Sequence, residues 1–278
     1  MTPGRGGAEL SLSWRLGDGP AGTAPQPVSW PHPISKEWAW GDGSGAGARV
    51  CILDSGVEQD HPQVGPIQGA YAVQETQGGQ SVVTEDTEGD VCGHGTACAS
   101  IIRSLAPACE IISVRVLGLG YFGSGEALIT GLRWALEQDF DVINMSLSTT
   151  KPEVARTLYH LADVAYFRRN LIVASAHNTP IESFPWRFAS VISVGSHKQP
   201  DPELLVYNPA PPVEFFARGD RVPVGWLNGG EMVCSGNSFA TPHVSGMCAR
   251  ILGAHGGLTP YQVKTVLHLI AGNVTGGT

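Results

Sequence analysis

The feature that most constrains the fold is a series of short apolar segments that alternate with segments of helical periodicity. The apolar segments lack the polar and apolar alternation of half-exposed strands, so they are predicted to be buried on both faces. Helical segments between such strands indicate crossover connections, and therefore an α/β fold with a mainly parallel sheet. The predicted strands are residues 48–54, 110–118, 141–147, 171–176 and 191–196, and the predicted helices are residues 126–138, 153–168, 241–252 and 260–270.

The chain divides into two regions of different composition. Residues 1–30 are rich in Gly, Pro, Ala and Ser and carry no apolar period, so they are predicted to form a flexible N-terminal extension. Residues 31–278 show neither an internal repeat nor a second block of composition, which predicts one folded domain.

Net charge and cysteine content limit the classes of partner and the cellular compartment that the sequence predicts. The 17 Lys and Arg against 25 Asp and Glu give a net charge of −8, whereas a nucleic-acid partner needs a basic face. No stretch approaches the 18 apolar residues of a membrane span, so neither nucleic acid nor a membrane is a predicted partner. With Met1 as the true start, no apolar signal core follows, and six cysteines are too few for a disulfide framework. We therefore expect a cytoplasmic protein, of open oligomeric state, in which Cys51, Cys98 and Cys248 are buried thiols.

Three segments carry residues suited to nucleophilic catalysis. Asp54 ends a buried strand, His94 lies in GHGTACAS at a helix start, and Ser238 lies in GNSFATPHVSG at another helix start. A serine hydroxyl becomes a nucleophile when a histidine takes its proton, and a buried carboxylate orients that histidine. Each residue alone has an ordinary interpretation, as a turn residue, a structural histidine or a helix N-cap. Their occurrence together, in the order Asp, His, Ser, favours a catalytic triad.

The segments V-C-I-L-D-S-G, G-H-G-T, V-I-N-M-S-L and G-N-S-F-A-T-P-H-V-S-G closely resemble the signature blocks of the subtilisin-like serine proteases, the subtilases or peptidase family S8. The resemblance extends from Ala48 to Leu269 and is strongest to small bacterial members. It implies a subtilisin-like fold, with a mainly parallel sheet and helices on both faces. It also implies a serine endopeptidase that hydrolyses peptide or protein substrates through an acyl-enzyme.

The resemblance assigns roles to individual residues. Asp54, His94 and Ser238 match the triad, and Asn178 matches the asparagine of the oxyanion hole. The Phe184–Pro185 bond matches one that is cis in the family. Two segments match the walls that hold an extended substrate as an added β-strand. The residues so implied are Gly123, Ser124 and Gly125 on the first wall, and Ser146, Leu147 and Ser148 on the second.

Departures from the family pattern keep a second function open. Asn237 stands where Thr is usual, and His177 stands where Gly is usual, so its imidazole is expected to narrow the specificity pocket or to shift Asn178. The alternative is a weakly active or inactive peptide-binding domain of the same fold. A lipid or ester hydrolase is disfavoured, because residues 236–240 end in Ala and lack the G-x-S-x-G elbow.

No cofactor and no metal is predicted. Only four residues separate the helix that begins at His94 from the L-A-P segment at 105–107, where many subtilisins carry a calcium-binding insert. An acidic stretch could hold a cation, but a solvated acidic loop is the favoured interpretation. Its carboxylates are Asp60, Asp86, Glu88 and Asp90.

Overall fold

The computed structural model describes Trp30 and residues 33–275. Apart from Trp30, the predicted flexible extension lies outside the described residues, so its flexibility and the boundary at residue 31 stay predictions. The fold presented here is that of the unit Ile34–Thr278.

A large, mainly parallel sheet forms the centre of this unit. Its strands are β1 (Arg49–Asp54), β2 (Gly69–Glu75), β3 (Ser81–Glu85), β4 (Glu110–Arg115), β5 (Val142–Met145), β6 (Leu171–Ser175), β7 (Ile192–His197), β8 (Val206–Tyr207) and β9 (Phe215–Arg218). In the described residues the order across the sheet is β3-β2-β4-β1-β5-β6-β7-β9-β8. All neighbours are parallel except at the two edges, where β2 with β3 and β8 with β9 are antiparallel. A separate hairpin consists of β10 (Val222–Trp226) and β11 (Gly230–Cys234).

The predicted buried strands are confirmed, and the edge strands and the hairpin were not predicted. Strand β1 is buried along nearly its whole length and β6 along all of it, which produces the uninterrupted apolar runs. By contrast, β3 and β11 are half-buried or exposed, and their mixed sequences carry no such signal.

Helices cover both faces of the sheet. They are α1 (Lys36–Trp40), α2 (His94–Leu105), α3 (Gly125–Leu136), α4 (Pro152–Arg168), α5 (Asn237–Ala254) and α6 (Pro260–Ile270). Successive side chains of a strand point to opposite faces. In β5, Ile143 and Met145 join the core cluster that includes Leu132 of α3 and Leu158 of α4. Asn144 points the other way and accepts a hydrogen bond from Ser245 of α5 at 2.8 Å. In the part of the chain that the structure describes, no helix is long and apolar enough to cross a membrane.

Helix α5 begins four residues earlier than the sequence pattern predicts. The predicted start, Thr241, lies next to Pro242, which cannot donate a backbone hydrogen bond inside a helix. The helix nevertheless runs through Pro242. The one bond that the proline removes is the one to the carbonyl of Ser238, and the Cys98 thiol approaches that carbonyl at 3.9 Å instead. By contrast, α6 has the predicted bounds, with a capping box between Thr259 and Gln262 and Pro260 in its first turn.

The cysteines and one proline bond behave as predicted. Cys51, Cys98 and Cys248 are fully buried, and all six cysteines are free thiols. The Phe184–Pro185 peptide bond is cis, as the resemblance implied.

Helices α2 and α5 pack closely because α5 carries a glycine where they meet. A Cβ at Gly246 would lie 2.9 Å from the Cβ of Leu105 in α2 and 3.4 Å from the carbonyl oxygen of Ile102. Leu105 cannot turn its Cβ away, because that atom is fixed by the backbone. The absence of a side chain at position 246 therefore sets the distance between the two helices that begin at His94 and Asn237.

We predict that Gly246→Ala destabilises the protein by about 1–2 kcal/mol. Overpacking a core costs about 1–3 kcal/mol, and the helix gains only about 0.5–1 kcal/mol from replacing glycine by alanine. Urea unfolding followed by tryptophan fluorescence measures the difference.

The matched control is Gly256→Ala, in the turn after α5. A Cβ there meets only the carbonyl oxygen of Leu252, at 3.9 Å, so the free energy of unfolding should change by less than about 0.5 kcal/mol. A Gly246→Ala protein as stable as the control would contradict the close packing of α2 on α5.

Candidate active site

Asp54 and His94 form a hydrogen-bonded pair where β1 ends and α2 begins. Asp54 is the last residue of β1 and is completely buried. Its Oδ1 lies 2.8 Å from Nδ1 of His94 and accepts a second hydrogen bond from the backbone N–H of Ser55 at 2.8 Å. Because the carboxylate engages Nδ1, it favours the tautomer in which Nε2 can accept a proton. The pair therefore has the arrangement of an oriented general base.

The electrostatics of this pair raise the pKa of His94. Burial on its own lowers the pKa, because it disfavours the charged imidazolium. The charge and the hydrogen bond of Asp54, with a smaller contribution from Asp90, together outweigh burial, so the pKa of His94 is raised above its ordinary value of 6.5.

Asp90 holds the N-terminus of α2 against the end of β1. Its Oδ1 accepts hydrogen bonds from the Ser55 hydroxyl at 2.8 Å and from the backbone N–H groups of Cys92 and Gly93 at 2.9 and 2.8 Å. Its Oδ2 accepts from the backbone N–H and the hydroxyl of Thr96, at 2.8 and 2.6 Å. One carboxylate thus fixes the segments on both sides of His94.

Sequence reasoning missed this role of Asp90, and a signal for it exists. The N-cap of α2 is Gly93, which has no side chain to accept a hydrogen bond from the first turn. A helix start without its own cap needs an acceptor from elsewhere, and the nearest carboxylate before it in the sequence is Asp90.

Ser238 and Asn178 come together at the start of α5. Ser238 is the second residue of the helix, and Asn178 follows β6. A Cβ at Gly236 would lie 3.5 Å from Ser238 Oγ, 3.5 Å from Asn178 Oδ1 and 3.6 Å from Asn178 Nδ2. Gly236 has a φ of 153°, which L side chains rarely adopt, so the backbone conformation favours glycine here, although a Cβ would make only ordinary contacts.

Asn178 Nδ2 and the backbone N–H of Ser238 are the candidate oxyanion donors. The backbone N–H of Asn237 donates to Asn178 Oδ1 at 2.9 Å, which leaves Asn178 Nδ2 as the free end of that amide. Within the described residues, the N–H of Ser238 has no acceptor, whereas the N–H of Phe239 next to it bonds to the carbonyl of Gly236 at 3.1 Å. The first N–H groups of a helix have no intrahelical partners and attract negative charge.

A cleft of about 670 Å³ brings together nine of the ten predicted site residues and runs beside the buried Asp54. Tyr121 and Trp226 also line it, and no sequence motif indicated either residue. The Tyr121 ring stands edge-on to the His94 ring, with 5.8 Å between centroids. The predicted residues on the lining are His94, Ser238, Asn178, Gly123, Ser124, Gly125, Ser146, Leu147 and Ser148.

Residues 123–125, which the resemblance implied to be an edge strand that pairs with substrate, do not all have that conformation. Ser124 is the N-cap of α3, and its hydroxyl accepts from the N–H of Ala127 at 2.9 Å. Gly125 is the first residue of that helix and is buried against Val154. Gly125 is therefore not part of an edge strand, and the extended backbone lies before it, at Phe122 and Ser124.

The expectation that His177 narrows the specificity pocket is wrong. The His177 ring bonds to Thr179, with Nδ1 at 3.1 Å from the Thr179 N–H and 2.9 Å from its hydroxyl. His177 lines a neighbouring cavity of about 520 Å³, and it does not line the cleft that holds Ser238. Asn178 lines both cavities.

Within the described residues, one cluster could in principle hold a metal. Ligand atoms of Asp54, His94 and Cys98 lie within 4.8 Å of one another. The cluster suits a metal poorly, because metal ligation by cysteine needs the thiolate. Burial, and then the charge of Asp54, raise the pKa of Cys98 well above its ordinary value.

The acidic stretch is also not the solvated loop that the sequence favoured. Asp86 is ion-paired to Arg115 at 2.9 Å, and its side chain is only 1% exposed. Glu88 joins the same arginine at 3.0 Å from a largely exposed position. Asp90 accepts hydrogen bonds from backbone N–H groups on both sides of His94, and Asp60 is exposed.

Comparison with known proteins gives a consistent result. The model of the subtilase family matches residues 45–276. Thermitase from Thermoactinomyces vulgaris is 27% identical over 259 residues, which are 88% of this chain and 88% of thermitase. Subtilisin E from Bacillus subtilis (strain 168) is 28% identical and covers 82% of this chain, which in turn spans 61% of subtilisin E.

A solved structure agrees with these relatives. The crystal structure of a cold adapted subtilisin-like serine proteinase is similar with a TM-score of 0.64 and 27% identity, over 80% of this chain and 81% of that one. The subtilisin-like α/β fold is therefore confirmed. Family model, relatives and structure together show that the chain belongs to the subtilase family and is a serine-type endopeptidase.

Proposed function

We propose that this endopeptidase cleaves peptide bonds through Ser238 as nucleophile, His94 as general base and acid, and Asp54 as the carboxylate that orients His94. The observation that carries the proposal is the 2.8 Å bond between Asp54 and His94 beside the cleft that holds Ser238 and Asn178. The same constellation of groups activates serine in unrelated hydrolases.

The first half of the reaction forms an acyl-enzyme. His94 Nε2 takes the proton of the Ser238 hydroxyl as Oγ attacks the carbonyl carbon of the substrate. The oxyanion receives hydrogen bonds from Asn178 Nδ2 and the Ser238 N–H. When the tetrahedral intermediate collapses, the C–N bond breaks, and His94 gives its proton to the leaving amine.

The second half releases the acyl group. His94 takes a proton from a water molecule, whose oxygen attacks the acyl carbon. The bond to Oγ then breaks, and His94 returns the proton to Ser238. Asp54 stays ionised throughout and stabilises the imidazolium that forms in each half.

The cleft suits an extended, uncharged stretch of peptide. Its lining includes apolar and small polar side chains and no Asp, Glu, Lys or Arg. The backbone at Phe122 and Gly123 and the segment Ser146–Ser148 lie along it, so a substrate would add as a β-strand between them. Peptides and proteins are the substrates of the family, and this pairing is the proposed mode of binding.

The alternative, a weakly active or inactive peptide-binding domain, has no observation in its favour among the described residues.

A cytoplasmic location stays a prediction, supported by six free thiols, which persist in a reducing compartment. That nucleic acid and membranes are not partners also stays a prediction from composition.

Ser238→Ala is predicted to reduce peptide hydrolysis by about 10⁶-fold, because no other group can form the acyl-enzyme. The loss of one hydroxyl near a helix start should leave the fold intact. Hydrolysis of an internally quenched peptide and the far-UV circular dichroism spectrum measure the two effects. A folded Ser238→Ala protein with wild-type turnover would show that another residue is the nucleophile.

Asn178→Ala is predicted to lower kcat by about 10²–10³-fold with little change in KM, the effect of removing one oxyanion donor in a subtilisin. The side chain is exposed, so stability should barely change. Steady-state kinetics provide the measurement. A rise in KM at constant kcat would assign Asn178 to substrate binding rather than to the oxyanion.

The raised pKa of His94 predicts the pH dependence. Only neutral His94 can act as base, so kcat/KM should fall with acidification through a midpoint above pH 6.5. Asp90→Asn removes a negative charge that raises this pKa, and the midpoint should move to lower pH.

The control is Asp163→Asn, which removes a charge in α4, on the other face of the sheet, and should leave the midpoint unchanged. A wild-type midpoint below pH 6.5 would contradict the dominance of Asp54 over burial.

A further inference from the structure

The side chain of Asn237 is bonded entirely to backbone at the ends of two strands. Its Nδ2 donates to the carbonyl oxygens of Ala176 and His177, each at 3.2 Å, just after β6. Its Oδ1 accepts from the N–H of Ser196 in β7 at 2.9 Å. The two amide hydrogens are thereby used, so this side chain has none left for an oxyanion.

The backbone of Asn237 holds the adjacent residue of the same loop. Its N–H donates to Asn178 Oδ1 at 2.9 Å. Asn237 therefore fixes the main chain of residues 176 and 177 through its side chain and the amide of Asn178 through its backbone. Three of these four hydrogen bonds connect the start of α5, next to Ser238, to the loop that carries the proposed oxyanion donor, and the fourth connects it to Ser196 in β7.

This connection matters because Asn178 is otherwise unconstrained. The residue is exposed, and residues 179–182 after it are exposed as well, so packing does not fix its amide. Donors act on a transition state only when they are held in place before the charge develops. With Oδ1 bonded to the backbone of Asn237, the whole amide lies beside Gly236, whose Cβ would be 3.6 Å from Nδ2 and 3.5 Å from Ser238 Oγ.

We propose that Asn237 is a positioning residue of the oxyanion hole, which acts through Asn178 and not by direct contact with the substrate. The proposal rests on the function proposed above. It gives the departure from threonine at this position a role: the longer amide reaches three backbone groups across the ends of β6 and β7.

Asn237→Asp tests the role with the smallest change in shape. The carboxylate keeps an acceptor for the Ser196 N–H, but it loses both donors and places negative charge against the carbonyls of Ala176 and His177. We expect kcat to fall by about 10–100-fold with KM within about threefold of wild type, since the loss arises in the transition state.

A double-mutant cycle with Asn178→Ala separates positioning from general damage. If Asn237 acts through Asn178, Asn237→Asp should lower kcat by less than about threefold in the Asn178→Ala background. Asn237→Ala, which removes the same bonds without adding charge, should follow the same pattern and replaces the aspartate variant if that variant does not fold.

Asn208→Asp is the matched control. The Asn208 amide also donates to two carbonyls, those of Ala210 and Val213 at 2.9 and 2.8 Å, and accepts from one N–H, that of Ala210 at 3.0 Å. Asn208 does not line the cleft. Its replacement should lower Tm to a similar degree and leave kcat within about twofold of wild type.

Two results would overturn the proposal alone: a kcat within about twofold of wild type in both Asn237 variants, or losses that multiply fully in the Asn178→Ala background. An Asn178→Ala enzyme with full activity would overturn the oxyanion assignment itself, and this role with it.

Discussion

The hydrogen bonds that join the end of β1 to the start of α2 determine the geometry of the rest of the site. Helix α2 starts at a glycine cap that offers no acceptor, so its first N–H groups need partners from elsewhere. Asp90 supplies them and also takes the hydroxyl of Ser55, next to Asp54. The carboxylate that completes the helix therefore also fixes the distance between Asp54 and His94, so folding and the orientation of the base depend on the same contacts.

The second half of the site is built in the same way. The start of α5 is held over the ends of β6 and β7 by Asn237, and the body of α5 lies close to α2 because residue 246 has no side chain. The buried Cys98 lies between the two halves, with its sulfur 3.8 Å from Asp54 and 3.9 Å from the carbonyl of Ser238. Two helix starts thus converge at the carboxyl edge of the parallel sheet, where such folds bind their ligands.

Local pattern was sufficient to predict the buried strands, the helix at 260–270 and the residue types at the centre of the site. Each of these features has a signal within a short stretch of sequence, such as an unbroken apolar run, a Thr-Pro pair at a helix start or a histidine between glycines. The role of Asn237 could not be predicted in this way, because its side-chain partners lie in other elements, 41 to 61 residues away. The role of Asp90 was missed although Cys92, Gly93 and Thr96 follow it closely, because Ser55, the partner that links it to β1, lies 35 residues away. Gly125 lines the cleft but is not part of an edge strand, because the cap at Ser124 makes it the first residue of a helix.

The central claim is that Ser238 is the nucleophile and that His94 activates it. Intact-mass and peptide-mapping analysis after reaction with a fluorophosphonate tests this most directly, because the reagent bonds covalently to an activated serine. We expect one adduct per chain, located on Ser238, formed rapidly in the wild type and far more slowly in His94→Ala. An unlabelled wild-type protein, an adduct on another residue, or equal labelling rates in the two proteins would contradict it.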